Sequence, residues 1–179
     1  MSTISGPVVA AMVIVGLALL VMGSVGMRES AATLKEGGAG IVAFEVARTP
    51  ERAAHILRRW GVRGQQAAVD NLFADMPFLL GYGLLLAGLS WWSADCMGSR
   101  TSADAGTVCH VMAAVAMCAA LLDMVEGTLL LRILRRSPRA VEPWASTGAW
   151  LCACLKFLGI IVVIGWLAFF VVPVLVVAG

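Results

Sequence analysis

Two carboxylates three residues apart, Asp123 and Glu126, stand inside an otherwise apolar run, Leu121-Leu122-Asp123-Met124-Val125-Glu126-Gly127-Thr128-Leu129-Leu130-Leu131. At that spacing they lie on one face of a helix and can look into a common site. An ionised acid near the middle of a bilayer helix costs about 2.5–3.5 kcal/mol on insertion scales, so the pair should face protein or water rather than lipid. Carboxylates so placed can accept a proton, hold a cation or pair with an amine. Two more ionisable residues, Asp75 and Lys156, are set in similar apolar surroundings.

The rest of the chain reads as the membrane scaffold for these groups. Of 179 residues 60% are hydrophobic and 13% charged, against roughly 25% charged in a soluble domain. A spanning helix needs about 20 mainly apolar residues, and four stretches reach that length: Pro7–Met27, Phe73–Trp92, Val108–Ile133 and Ala149–Val176. The expected fold is all-α, a polytopic four-transmembrane-helix bundle forming one membrane domain over residues 1–179. Met1 to Gly6 contain no Lys or Arg and Arg28 follows the first apolar run, so a retained span is expected rather than a signal peptide. A net charge of +2 gives no reason to expect nucleic acid as a partner.

Basic residues set the expected orientation. Arg28, Lys35, Arg48, Arg52, Arg58, Arg59 and Arg63 fall between the first two spans, and Arg132, Arg135, Arg136 and Arg139 between the last two, whereas the middle connection has only Arg100. The positive-inside rule then puts loops 28–69 and 132–148 in the cytoplasm and both termini outside, in a multi-pass protein of the cell membrane.

The first connection carries its own helix signal. Thr49-Pro50-Glu51 supplies a cap, a proline at the first position and an acid facing the helix dipole. Ala53, Ile56, Leu57 and Trp60 recur on one face, with Arg52, His55, Arg58 and Arg59 on the rest and Gly61 as a stop. The spacing predicts a short cytoplasmic amphipathic helix over 50–60, suited to the headgroup layer, with Arg52, Arg58 and Arg59 meeting anionic lipid headgroups. Pro77 should bend the second span near Asp75. Gly16, Gly23 and Gly26 serve helix packing, and Gly37-Gly38-Ala39-Gly40 reads as a turn. The five cysteines, Cys96, Cys109, Cys118, Cys152 and Cys154, match neither a disulfide framework nor a zinc pattern and read as small buried apolar residues.

Depth along the helices brings the charges together. Glu126 is six residues before Arg132 and Lys156 six after Trp150, so each lies about 9 Å inside the cytoplasmic boundary. Asp75 comes to about the same height, five residues after Asp70, and Asp123 about 4.5 Å deeper. The expected first pairing is Lys156 with Glu126 or Asp75. Three acids against one base leave an excess, so a protonated carboxyl, a cation, a loop arginine or water is expected to complete the site. A metal centre is the weaker reading, because the one histidine in a span, His110, lies about 20 Å from Asp123 along the axis.

Phe44-Glu45-Val46-Ala47, then Thr49-Pro50-Glu51-Arg52-Ala53, Asp75-Met76-Pro77-Phe78 with Tyr82-Gly83, Asp123-Met124-Val125-Glu126 and a lone Lys156 together resemble a family of small bacterial four-span integral membrane proteins of unknown function. The resemblance implies that Glu45, Asp75, Tyr82, Asp123, Glu126 and Lys156 are the positions to test as the candidate ligand-binding set. It implies no activity and names no cofactor.

Three functions of different class follow, in this order. The first is binding or translocation of a proton, cation or small amine-bearing ligand by the acidic cluster, with Asp123 and Glu126 as the expected acceptors, Lys156 as their internal counter-ion and Asp75 with Tyr82 as the facing wall. The second is a non-catalytic accessory or assembly subunit whose charge network only locks helix packing. The third is a membrane-embedded lipid enzyme, ranked last because the sequence offers no nucleophile-base pair, metal motif or phosphate-cradling loop. The expected surroundings are the lipid bilayer and, given the small volume of such a bundle, further copies of the chain or a larger membrane partner.

Overall fold

A computed structural model describes residues 6–97, 103–136 and 141–171, and within them every regular element is helical. The order is α1 (Gly6–Gly26), α2 (Arg28–Glu36), α3 (Ile41–Glu45), α4 (Pro50–Met97), α5 (Ala103–Leu134) and α6 (Pro143–Trp166), which ends in a π-helical turn, Leu167–Val171. Four helical stretches, Gly6–Glu36, Pro50–Ser93, Gly106–Leu134 and Pro143–Phe169, are long and apolar enough to cross a membrane. Residues 98–102 with Arg100, residues 137–140 with Arg139, and the 172–176 end of the expected fourth span lie outside the described residues.

The second span is longer than its apolar core indicates. Thr49 caps it, its Oγ1 accepting from the Arg52 N–H at 3.3 Å, and the chain stays helical from Pro50 except at Gly61, where φ is 60° and ψ −167°. A side chain would make that conformation costly, and glycine removes the cost. Backbone dihedrals remain helical through Pro77, so the interruption in α4 falls at Gly61 and not at the proline.

The amphipathic segment 50–60 is helical, as its spacing requires, but its apolar face meets protein. Ala53, Ile56, Leu57 and Trp60 are buried in a cluster with Leu34, Phe44, Leu130, Ile133 and Ala145, while Arg52, Arg58 and Arg59 stay exposed. A face that finds apolar partners within its own chain has no apolar surface left for the headgroup layer. At this same end Arg132 and Arg136 bridge Glu142 at 3.0 and 2.7 Å. The hydrogen bond from Arg132 holds the Glu142 carboxyl below the ordinary glutamate range.

The spanning helices form a row: α1 packs on α4, α4 on α5, and α5 on α6. Glycines set the first contact. A Cβ on Gly81 would strike the backbone of Leu20 and Gly16, one on Gly16 would lie 2.7 Å from the Leu85 nitrogen, and one on Gly23 2.6 Å from the Phe78 nitrogen. Small residues at such crossings let the backbones touch, which is what holds helices together where water supplies no hydrophobic drive. A second apolar cluster, with Leu79, Leu86, Ala113, Ala116 and Val163, fills the other end of the bundle.

The cysteine expectation holds for one position in part and needs correction elsewhere. Cys109 is buried beside Ser93, but Cys118 and Cys154 are exposed on the outer faces of α5 and α6, and Cys152 is half-buried. A thiol is apolar enough to face lipid, so the bilayer satisfies it as well as a core does. The side chain of Cys96 lies outside the described set.

Gly81→Val should drive α1 off α4 and lose at least about 1–3 kcal/mol, the usual cost of overpacking. Gly165→Ala, whose Cβ would meet nothing within 4 Å, should be neutral. Thermal unfolding of both variants in detergent checks the pair, and equal melting temperatures would contradict the close crossing.

Candidate functional site

Between the two apolar clusters lies a thin polar layer. Its centre is Lys156 of α6, 4% exposed. Its ammonium nitrogen Nζ stands 2.5 Å from Asp123 Oδ1, 2.7 Å from Glu126 Oε2 and 3.6 Å from Glu45 Oε2. An ammonium has three donors and no acceptor, so carboxyls are the groups that suit it. It donates a well-directed hydrogen bond to Asp123, whereas Glu126 Oε2 is close but off the donor direction, making that contact coulombic.

Asp123 and Glu126 do share one inward face of α5, as their spacing of three requires. The Tyr82 hydroxyl of α4 donates to Asp123 Oδ2 at 2.9 Å, so each Asp123 oxygen has a partner. Glu126 is 1% exposed and its Oε1 has no partner among the described residues. Phe78, one turn before Tyr82, sets its ring across the tyrosine ring at 6.0 Å between centroids and limits where the phenol can go.

Glu45 reaches this layer from outside the four spans. It sits at the end of α3, and aromatic contacts on both sides hold it there. Phe44 packs on Trp60 with ring centroids 5.2 Å apart, and Trp60 Nε1 donates to the Ala39 carbonyl at 2.8 Å. Three residues beyond Glu45, the Arg48 guanidinium lies over the Trp150 ring of α6, 4.8 Å from its centroid. The basic amphipathic helix thus acts as a clamp: its tryptophan pins the connection so that Glu45 faces Lys156.

Asp75 departs from the pairing expected of it. It stands in the same layer but makes no ion pair with Lys156, and no hydrogen bond to its carboxyl occurs among the described residues. Instead it lines a cleft of about 580 Å³ whose walls come from α1, α3, α4, α5 and α6. Depth estimates put residues at one height but carry no information on which way each helix turns them. Asp123 and Glu45, supplied by α5 and α3, take the places around Lys156.

The charges of the cleft stand toward one end: Glu45, Asp75, Asp123 and Lys156 meet there among Met27, Ile41, Val42 and Phe78. Leu20, Leu85, Ile160 and Ile164 line the rest, and Asn71 and Tyr82 add polar atoms on α4 to either side of Asp75. Asn71 is itself anchored, donating to Ser30 Oγ at 2.9 Å. It and the cleft have no clear signal in the sequence; the single charge of Glu45 within Ile41-Val42-Ala43-Phe44-Glu45-Val46-Ala47 is the one local mark that could have singled out that acid on physical grounds. His110 is remote, bonded at 2.7 Å to the Gly106 carbonyl near the start of α5. No set of three His, Cys, Asp or Glu side chains converges as a metal site among the described residues.

Comparison of the chain with protein-family models, with curated proteins and with solved structures finds no match. The chemistry of the site therefore rests on its own geometry: four carboxyls, one amine, one phenol, and a cleft that opens onto all of them but Glu126.

Lys156→Met should be strongly destabilising, by about 3–5 kcal/mol, because it leaves carboxyls buried without their counter-charge. Adding Asp123→Asn to Lys156→Met should recover part of the loss. Yield of monodisperse protein and its melting temperature measure both, and an unaffected single variant would show that the ammonium does not hold the layer.

Proposed function

We propose that this integral membrane protein binds or translocates a proton, cation or small amine-bearing ligand at the carboxyl layer around Lys156. The observation that carries the reading is the unequal count of charges: Glu45, Asp123 and Glu126 already surround Lys156, and Asp75 faces the open cleft with no ion pair or hydrogen bond to its carboxyl among the described residues. Ionisable groups inside a bundle favour a functional role over a purely structural one, since apolar residues would serve packing at lower cost.

The roles follow from the contacts. Lys156 is the internal counter-ion. Asp75 is the acceptor open to a ligand, with Asp123 beside it, fixed by Tyr82. Glu126, sealed behind Lys156, tunes the ammonium and does not line the cleft. Loops 28–69 and 132–148 are cytoplasmic in this reading and both termini extracytoplasmic, which places the polar end of the cleft toward the inner leaflet. Arg52, Arg58 and Arg59, exposed on the amphipathic helix, meet anionic headgroups there.

A second reading has one observation of its own. Lys156 ties α3, α5 and α6 to one point through ion pairs with Glu45, Asp123 and Glu126, which is what a subunit needs whose charges only lock its packing for assembly with a partner.

Methylammonium binding to purified protein should weaken about tenfold or more in Asp75→Asn, the value of a hydrogen bond to a charged group, and also in Asp123→Asn. Equilibrium dialysis reads the affinity and circular dichroism the fold. Unchanged affinity in folded variants would favour the structural role. For the topology, an impermeant maleimide applied to intact cells should fail to label a cysteine placed at Arg63 of a cysteine-free protein and should label it after lysis.

A further inference from the structure

The row of spanning helices is not closed. α1 packs along α4 and α6 along α5, with no extensive contact between α1 and α6. The cleft lies in that gap, with Leu20 of α1 on one side, Phe157, Ile160 and Ile164 of α6 on the other, and α4 as its floor from Asn71 to Leu86. Fifteen helical rises make that floor about 22 Å long. Phe157 and Ile164 are exposed at its rim, within a stretch apolar enough to cross a membrane, so the entrance faces the bilayer.

A site for a bare cation or a small amine has no use for such a wall. Its volume, about 580 Å³, falls among small-molecule pockets of roughly 300–1,000 Å³. The polar end has an excess of acid: among the described residues neither Asp75, which lines the cleft, nor Oε1 of the sealed Glu126 behind Lys156 has a hydrogen-bond partner. Charge at one end and hydrocarbon along the other describe the complement of an amphiphile with a cationic head.

We infer that the cleft takes an amphiphilic cation sideways from the bilayer, its head at Asp75 and Asp123 and its apolar body between α1 and α6. The inference rests on the cation-binding reading and narrows it to a ligand class. The head exchanges headgroup contacts for the carboxyls, and the tail stays in hydrocarbon throughout, so entry requires no passage of the tail through water. Tyr82 holds Asp123 in place while leaving Asp75 as the free acceptor.

The test uses the full chain in phosphatidylcholine nanodiscs, with binding to empty nanodiscs subtracted, and three probes: methylammonium, dodecylammonium and dodecanol. With affinity referred to the ligand free in water, dodecylammonium should bind at least about tenfold tighter than methylammonium, the effect of taking about two methylenes out of water, and dodecanol should not bind saturably. Ile164→Trp, at the exposed rim, should abolish the advantage of the long chain over methylammonium, and Asp75→Asn should weaken both amines. Equal binding of the two amines, or an Ile164→Trp variant that keeps the advantage, overturns this inference and leaves the cation reading standing. Saturable dodecanol binding as tight as that of dodecylammonium also overturns it. Failure of both amines to bind overturns both readings.

Discussion

An ammonium cannot be left alone in hydrocarbon, and the fold is arranged around satisfying one. Lys156 is held by carboxyls from α5 and from the α3 connection. In a medium of low dielectric such pairing is strong only when the charges touch and their remaining atoms find partners. The helices are therefore fixed in rotation as well as in height, because a turn of either α5 or α6 by one residue would carry a charge toward lipid. Tyr82 extends the same constraint to α4 through Asp123.

Apolar packing then isolates this layer. One cluster, built on Leu57, Trp60, Leu72, Leu130 and Ile133, closes the end that carries the basic connections, and another, built on Leu79, Leu86, Ala116 and Val163, closes the opposite end. The amphipathic helix belongs to the first cluster. Its arginines give it the appearance of a membrane anchor, yet its buried side is what positions Glu45, through Trp60 and Phe44. Surface charge and internal clamp are two faces of one short helix.

Close packing on one side of the molecule leaves room on the other. Gly16, Gly23 and Gly81 draw α1 so near to α4 that it leans chiefly on that helix. With α1 committed to α4, the gap toward α6 remains, and Asp75 looks into it. The functional reading and the ligand class both depend on this asymmetry. A ring of four evenly spaced helices would enclose the same charges and offer no side entrance.

Composition and periodicity by themselves determined the helical class, the four spans, the Thr49 cap, the stop at Gly61 and the shared face of Asp123 and Glu126. These are legible because a bilayer imposes length and hydropathy on each segment separately, and capping and spacing are local. The tertiary structure alone decided that Glu45 and not Asp75 meets Lys156, that the face of residues 50–60 turns inward, that Cys118 and Cys154 turn outward, and that α1 and α6 stand apart. Those outcomes depend on the rotation of each helix about its axis and on contacts between distant segments such as Phe44 with Trp60 and Gly81 with Leu20. Hydropathy fixes how deep a residue sits, but only packing against neighbours fixes which way it points.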